Sequence, residues 1–247
     1  MSKRQEMRDK HRRERVRNRV LIIIMVVLGA LLVTFAFVWP TIQAEFFATP
    51  VVVNTITPRT FSAPVDGRSI GDSGAPVRMD VWEDFQCPAC VNFSMSVMPQ
   101  VISSYVETGI VFYTYRFYPF LDDYSTTRES DQAANAVMCA SEQERFWDYH
   151  DMLFANWDGE NEGAYADARL LRFAEVLALD MEKFEACFAE SRYQDEIDRD
   201  FAAEEAAGGH GTPFIMVDGV RVTSSAGDQY VPNFEDIAAA IEAALIK

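Results

Sequence analysis

From Val20 to Trp39 the chain runs twenty residues, VLIIIMVVLGALLVTFAFVW, without one charged side chain. As a helix this stretch is about 30 Å long, the thickness of a bilayer core. The nineteen residues before it carry nine Lys or Arg against Glu6, Asp9 and Glu14. A basic flank of this kind stays in the cytoplasm, which places everything beyond residue 40 outside the membrane. A cleaved signal peptide would have a shorter apolar core and a small-x-small cleavage site. The nearest candidate, Ile42-Gln43-Ala44, has a bulky residue where a small one is preferred, and no Cys follows to accept a lipid. The expected plan is a basic cytoplasmic tail (1–19), an uncleaved transmembrane anchor (20–39) and an extracytoplasmic remainder in the cell membrane's outer compartment.

The chain has 22 basic and 38 acidic residues; setting aside the tail's nine and three leaves 13 and 35, so residues from 20 onward carry a net −22. Such a surface is solubilising and excludes nucleic acid and anionic lipid headgroups as binding partners of the exported part. The location also permits disulfides, which the cytosol would reduce.

Residues 40–68, punctuated by Pro40, Pro50, Pro58 and Pro64 and lacking helical periodicity, read as a linker. Residues 69–247 are enough for one domain with a core of its own. Two strand-like runs, Val77–Phe85 and Ile110–Phe117, flank a helix-like one that should bend near Pro99 and stop at Gly109. Strand, helix, strand at this spacing predicts a βαβ unit with parallel strands. Residues 120–208 read as helical, with Thr126…Glu129 and Ser141…Glu144 fitting capping boxes and Asp180 a cap ahead of Met181. A further strand, Pro213–Val217, is followed by Asp218-Gly219 and Val220-Arg221-Val222, a hairpin signal, and a helix over about Asn233–Leu245 closes the chain.

At the junction of the first strand and its helix stands Cys87-Pro88-Ala89-Cys90. Two thiols three positions apart at a helix start can close a small disulfide and reopen it. The first faces unpaired backbone N–H groups and the positive end of the helix dipole, both of which favour the thiolate. Pro88 suits the first helical position because its missing N–H is not needed there. The competing readings are half of a zinc site and a purely structural short-loop disulfide. Zinc needs about four ligands, whereas Cys139 and Cys187 stand alone and His11, His150 and His210 form no HxxxH pair. The reading is a redox-active dithiol.

Cys139 follows Ala133, Ala136 and Val137, and Cys187 lies between Phe184 and Phe188 on an apolar stripe. Two cysteines on buried helix faces in an oxidising compartment suggest a structural disulfide, with two free buried thiols as the alternative. Closing that loop of about 49 residues would contribute roughly 4 kcal/mol in the chain-entropy account.

The run Asp84-Phe85-Gln86-Cys87-Pro88-Ala89-Cys90, the helical insertion, and Gly211-Thr212-Pro213 before a strand resemble the thioredoxin superfamily, and within it the DsbA-like thiol–disulfide oxidoreductases. Phe146-Trp147-Asp148-Tyr149-His150-Asp151 resembles the insertion of membrane-anchored bacterial members, some of which carry a second bridge similar to Cys139–Cys187. The resemblance covers residues 69–247 and implies an α/β fold: a thioredoxin-like core with a large helical insertion, preceded by one transmembrane helix. It implies that Cys87 is the exposed attacking thiol and Cys90 the buried resolving one. Pro213 would be the cis-proline facing them, and Thr212 would help set the pair's redox character. Many relatives have a buried acid six residues before the first cysteine; here that position is Val81. Glu83, on the same strand face by alternation, either substitutes as proton acceptor for Cys90 or faces solvent at the strand end. His210 reads as a loop residue near the dithiol in sequence only, and His150 as packing.

The chemistry expected is thiol–disulfide exchange with exported thiol-containing proteins, most simply as an oxidase. It calls for no organic cofactor and no metal. Regeneration would need a membrane redox partner of the DsbB or vitamin K epoxide reductase-like kind. The same residues run in reverse would make a reductase or isomerase. A non-catalytic module binding copper or a partner chain through CxxC, and an interaction scaffold, are the readings outside that chemistry.

Overall fold

A computed structural model describes residues 3–46, 51–227 and 229–246, and the chain divides into two compact units, residues 1–50 and 51–247. The first contains one helix, α1 (Lys3–Phe46), whose Arg17–Trp39 portion is long and apolar enough to cross a membrane.

The second is built on a six-stranded sheet of β1 (Val65–Asp66), β2 (Ser69–Ile70), β3 (Val77–Glu83), β4 (Val111–Phe117), β5 (Phe214–Val217) and β6 (Val220–Arg221), in the order β1-β2-β4-β3-β5-β6. β3 and β4 are parallel, from Val77 opposite Val111 to Glu83 opposite Phe117, and every other pairing is antiparallel. Alternation sets the faces: Val111, Tyr113, Tyr115 and Phe117 are buried while the residues between them are half-buried. Asp218 and Gly219 both have positive φ, 47° and 74°, the type I′ geometry that lets β5 and β6 pair with their native twist.

The crossover from β3 to β4 starts as α2 (Pro88–Asn92), passes through a π turn at Phe93–Val97 into α3 (Met98–Val101), and ends in a second π turn at Ile102–Val106. The first π turn lies just before Pro99, whose ring cannot accept the regular ladder. Gly109, at φ 77°, then turns the chain toward β4. After a 3-10 turn at Phe120–Tyr124 come α4 (Glu129–Ser141), α5 (Phe146–Ala155), α6 (Asp167–Val176), α7 (Met181–Ala189) and α8 (Gln194–Ala206), and the chain closes on α9 (Phe234–Leu245). Cys139 and Cys187 are disulfide-bonded, joining α4 to α7. Asp200 ties α8 to the sheet: it is buried, pairs with Arg68 and Arg116, and accepts from Phe117 N at 3.1 Å.

The structure departs from several sequence expectations. Asp180 does cap α7, but Thr126 does not cap α4, which starts after Arg128. Asp122 takes that role from the preceding turn, accepting from Ser130 N and Asp131 N, while Glu129 accepts instead from Gly163 N and Tyr165 N. Ser141 ends α4 rather than starting α5, because Glu144 has a φ of 59° and Arg145 N closes back on Ala140 O. Within the helical block, residues 156–166 form an irregular loop. Residues 51–68, expected as part of the linker, lie against the domain: Val53, Ile56 and Phe61 are partly buried on its core, and β1 joins the sheet. Their apolar residues recur too irregularly to signal an element but often enough to bury.

Candidate active site

Cys87 occupies the cap position of α2, with extended backbone (φ −74°, ψ 122°), and Pro88 starts the helix. Cys87 and Cys90 are both free thiols. The resemblance implied an exposed Cys87; the structure leaves it only 6% exposed, with Cys90 at 0%. The residues that cover it come from elsewhere in the chain: Cys87 Sγ lies 3.5 Å from Thr212 O, to which its thiol donates. The Thr212–Pro213 bond is cis. Thr212 Oγ1 is buried with no hydrogen-bond partner, so its hydrogen is available to a thiolate at Cys87.

This surrounding splits the two thiols. The Cys90 thiol, hydrogen-bonded to Cys87, pulls the Cys87 pKa down to about 6 against the opposing effect of burial, and Thr212 and the amides of Cys90 and Ala89 pull the same way. Burial first, and the neighbouring Cys87 charge after it, push the Cys90 thiol well above its ordinary value. One sulfur is thus an anion at neutral pH and the other a protonated thiol beneath it.

Glu83 is buried, 1% exposed, rather than solvent-facing. Burial pushes its pKa well above the usual carboxylate range, while hydrogen bonds from Ser94 and from the Cys90 thiol favour the charged form. Next to it, Asp84 is pushed up to about 7 by burial although it accepts from Ser130 Oγ, Gln86 N and Leu121 N. Gln86 is wholly buried, and the 156–166 loop holds it: Trp157 Nε1 donates to Gln86 O at 2.7 Å and Asn161 N to Gln86 Oε1 at 2.6 Å. Tyr165 OH donates to Phe85 O at 3.0 Å. The loop therefore fixes the strand end from which the CxxC departs.

Beside the dithiol an open cleft of about 430 Å³ is lined by His210, Thr212, Pro213, Arg221 and Tyr230 among others. His210 thus shares the cleft with Pro213 as its position in sequence allowed. His150, read as packing, is fully buried among aromatic rings yet hydrogen-bonded at both nitrogens, to Asp151 Oδ1 (2.9 Å) and Ser94 Oγ (3.5 Å). Ser94 and Arg59 carried no sequence signal, since a serine on a helix and an arginine in a loop are ordinary. The nearest hint was His150 in an aromatic run, where an unpaired imidazole would be costly.

A thioredoxin family model matches residues 64–243. The chain belongs to the thioredoxin family. Its sheet is interrupted in sequence, between β4 and β5, by the helices α4–α8. The chain is 23% identical over 184 residues to a probable disulfide bond formation protein D from Bacillus anthracis, covering 73% of this chain and 79% of that one. It is 34% identical over 151 residues to a Na(+)/H(+) antiporter NhaA 3 from Salinispora tropica, a match to 61% of this chain that spans only 21% of the antiporter's length. The oxidised BdbD structure from Bacillus subtilis superposes with a TM-score of 0.62 at 20% identity, over 75% of this chain and 97% of that one.

Proposed function

We propose that this DsbA-like thiol–disulfide oxidoreductase is a membrane-anchored oxidase that introduces disulfides into exported proteins. The observation that carries the reading is the split pair: a Cys87 thiol held near pKa 6 above a buried, protonated Cys90. In the oxidised enzyme a substrate thiolate attacks Cys87 Sγ. The Cys87–Cys90 bond breaks, its electron pair leaves on Cys90, and that sulfur takes up a proton. A second substrate thiolate then attacks the substrate sulfur of the mixed disulfide, and Cys87 departs as a stabilised thiolate. A good leaving group at Cys87 favours the reduced enzyme, and hence oxidation of the substrate.

Thr212, whose carbonyl lies 3.5 Å from Cys87 Sγ, and Pro213 both line the cleft, where an incoming chain would lie. Glu83 is the proton acceptor and donor for Cys90. Cys139–Cys187 is structural. The anchor helix and basic tail support an extracytoplasmic domain with a cytoplasmic N-terminus. Electrons leave to a membrane redox partner of the DsbB or vitamin K epoxide reductase-like kind. The name of the Bacillus anthracis relative, a disulfide bond formation protein, supports the oxidising direction.

Redox equilibration of the full chain in detergent micelles against glutathione tests the direction. An oxidase should poise its dithiol above about −200 mV; a value near −270 mV would assign it to reduction instead. Location is tested separately by labelling Cys87 in intact cells with a membrane-impermeant thiol reagent, which must reach it.

A further inference from the structure

Glu83 ends a line of buried polar groups contributed by four separate parts of the chain. Ser94, on the first π turn of the crossover, donates its hydroxyl to Glu83 Oε2 at 3.3 Å and lies 3.5 Å from His150 Nε2 on α5. His150 Nδ1 is 2.9 Å from Asp151 Oδ1. Asp151 is clasped through both oxygens by Arg59, which belongs to the segment preceding β1 and is the first member of the line with substantial exposure, 27%. Glu83 thus stands between two side chains that hydrogen-bond it, the Ser94 hydroxyl on one side and the Cys90 thiol on the other.

The hydrogens along this line can be counted. Asp151, paired with Arg59, is ionised and can only accept, so His150 Nδ1 carries a hydrogen and Nε2 of the neutral ring is an acceptor. Ser94 has one hydroxyl hydrogen. With Glu83 ionised and His150 neutral, two acceptors compete for it and the line is one proton short. Adding one proton satisfies every contact in either of two ways: on Glu83, which then donates to Ser94 as Ser94 donates to His150; or on His150 Nε2, which donates to Ser94 as Ser94 donates to Glu83. The same proton has two homes joined by one hydroxyl.

Resting on the thiol-exchange reading, we propose that Glu83, Ser94 and His150 form a proton relay serving Cys90, with Asp151 and Arg59 as positioning residues that hold the imidazole. When Cys90 attacks a mixed disulfide at Cys87, its Sγ–H proton passes to the Glu83 carboxylate. The carboxyl turns and gives a proton to Ser94 Oγ as the Ser94 hydrogen moves to His150 Nε2. The imidazolium is stabilised by the Asp151 carboxylate. The S–H electron pair stays on Cys90 and forms the bond to Cys87 Sγ, while the bond to the leaving sulfur breaks and its pair departs as thiolate. In the oxidising direction the proton runs the other way, onto Cys90 as it leaves.

Among the described residues, aromatic rings close the remaining sides of His150. Rings of Phe85, Tyr115, Phe146, Trp147 and Phe154 enclose it at centroid distances of 4.9–6.3 Å. The titratable or charged groups around it are Asp151, Arg59 and Tyr115, with Glu83 reached through Ser94. Burial lowers the imidazole pKa and raises that of Glu83, so it disfavours the charged form at both ends of the line.

The test uses the full chain in detergent micelles, loaded with glutathione on Cys87, and follows release of glutathione by Cys90 between pH 6 and 9. With an internal acceptor the wild-type rate should vary little with pH. In Ser94→Ala and His150→Gln, which keep the volume but cannot pass the proton, Glu83 stays neutral and the rate should fall at least tenfold at pH 7. It should then rise about tenfold per pH unit as hydroxide takes over. Ser94→Thr, which keeps the hydroxyl, should restore the wild-type profile; a structural role for Ser94 alone predicts no such change in pH dependence. Profiles in Ser94→Ala and His150→Gln that superpose on the wild type would overturn the relay and leave thiol exchange standing. A wild-type chain whose Cys90 never displaces glutathione would defeat the exchange chemistry and the relay together.

Discussion

The Cys90→Ala substitution probes what holds Cys87 as an anion. In the reduced protein the Cys87 pKa is pulled from 9.0 to about 6, and the largest single cause is the hydrogen bond from the Cys90 thiol. Three pH units correspond to about 4 kcal/mol of preference for the thiolate. At pH 7 only one unit separates the medium from the folded value, so about 1.4 kcal/mol stabilises the reduced protein there, or about 30 mV toward a more oxidising couple. A hydrogen bond to a charged group is worth about 1.5–3 kcal/mol, so removing the Cys90 thiol should raise the Cys87 half-point by about one to two units. Iodoacetamide alkylation against pH, followed by mass, reads this directly. Cys139 and Cys187 are bonded and Cys90 is buried and protonated, so Cys87 alone should react. A wild-type half-point above about 8, or no change in Cys90→Ala, would refute the argument. Because the folded value is depressed, this stabilisation of the reduced form is fully present above pH 9 and is lost as pH falls through 6. The oxidised protein, with no thiol at Cys87 to titrate, should lack that dependence.

Removing the second bridge as Cys139→Ser with Cys187→Ala should lower unfolding free energy by about 4 kcal/mol in urea titrations, with the Cys87 alkylation profile unchanged. Asp200→Ala strands Arg68 and Arg116 beside a buried strand end and should cost about 3–5 kcal/mol by the same assay; a loss under 1 kcal/mol would show that water replaces the pair. Asp84 titrates in the opposite sense to Cys87. Its folded pKa is raised from 3.8 to about 7, so its stabilisation is complete below pH 3.8 and is lost as pH rises through 7. Urea midpoints should therefore fall between pH 5 and 8, and Asp84→Asn should shrink that fall; an unchanged slope would place the effect elsewhere.

Much of the fold could be read along the chain because its signals are local. An uncharged run of twenty residues, two alternating runs either side of CxxC, and Asp218-Gly219 each state their own geometry, and β3, β4 and the β5–β6 turn follow them. Local patterns failed where the partner was distant. Thr126 lost its cap to Asp122, and residues 51–68 were drawn onto the domain by contacts such as Asn54 with Asn156 and Arg59 with Asp151. The same limit applied at the site. Cys87, Cys90, Thr212 and Pro213 announced themselves by motif, but Ser94 and Arg59 have no motif to show.

The sequence alone determined which atoms can do the chemistry: a thiol at a helix start, a second three residues on, and an apolar span ahead of the domain. Tertiary structure alone decided how they differ. Burying Cys90 and Glu83 while setting the Cys90 thiol, the Thr212 side chain and the amides of Cys90 and Ala89 around Cys87 makes one sulfur an anion and the other a thiol. Protonation depends on the local dielectric and on neighbours far away in the chain, and neither is written in the spacing of residues.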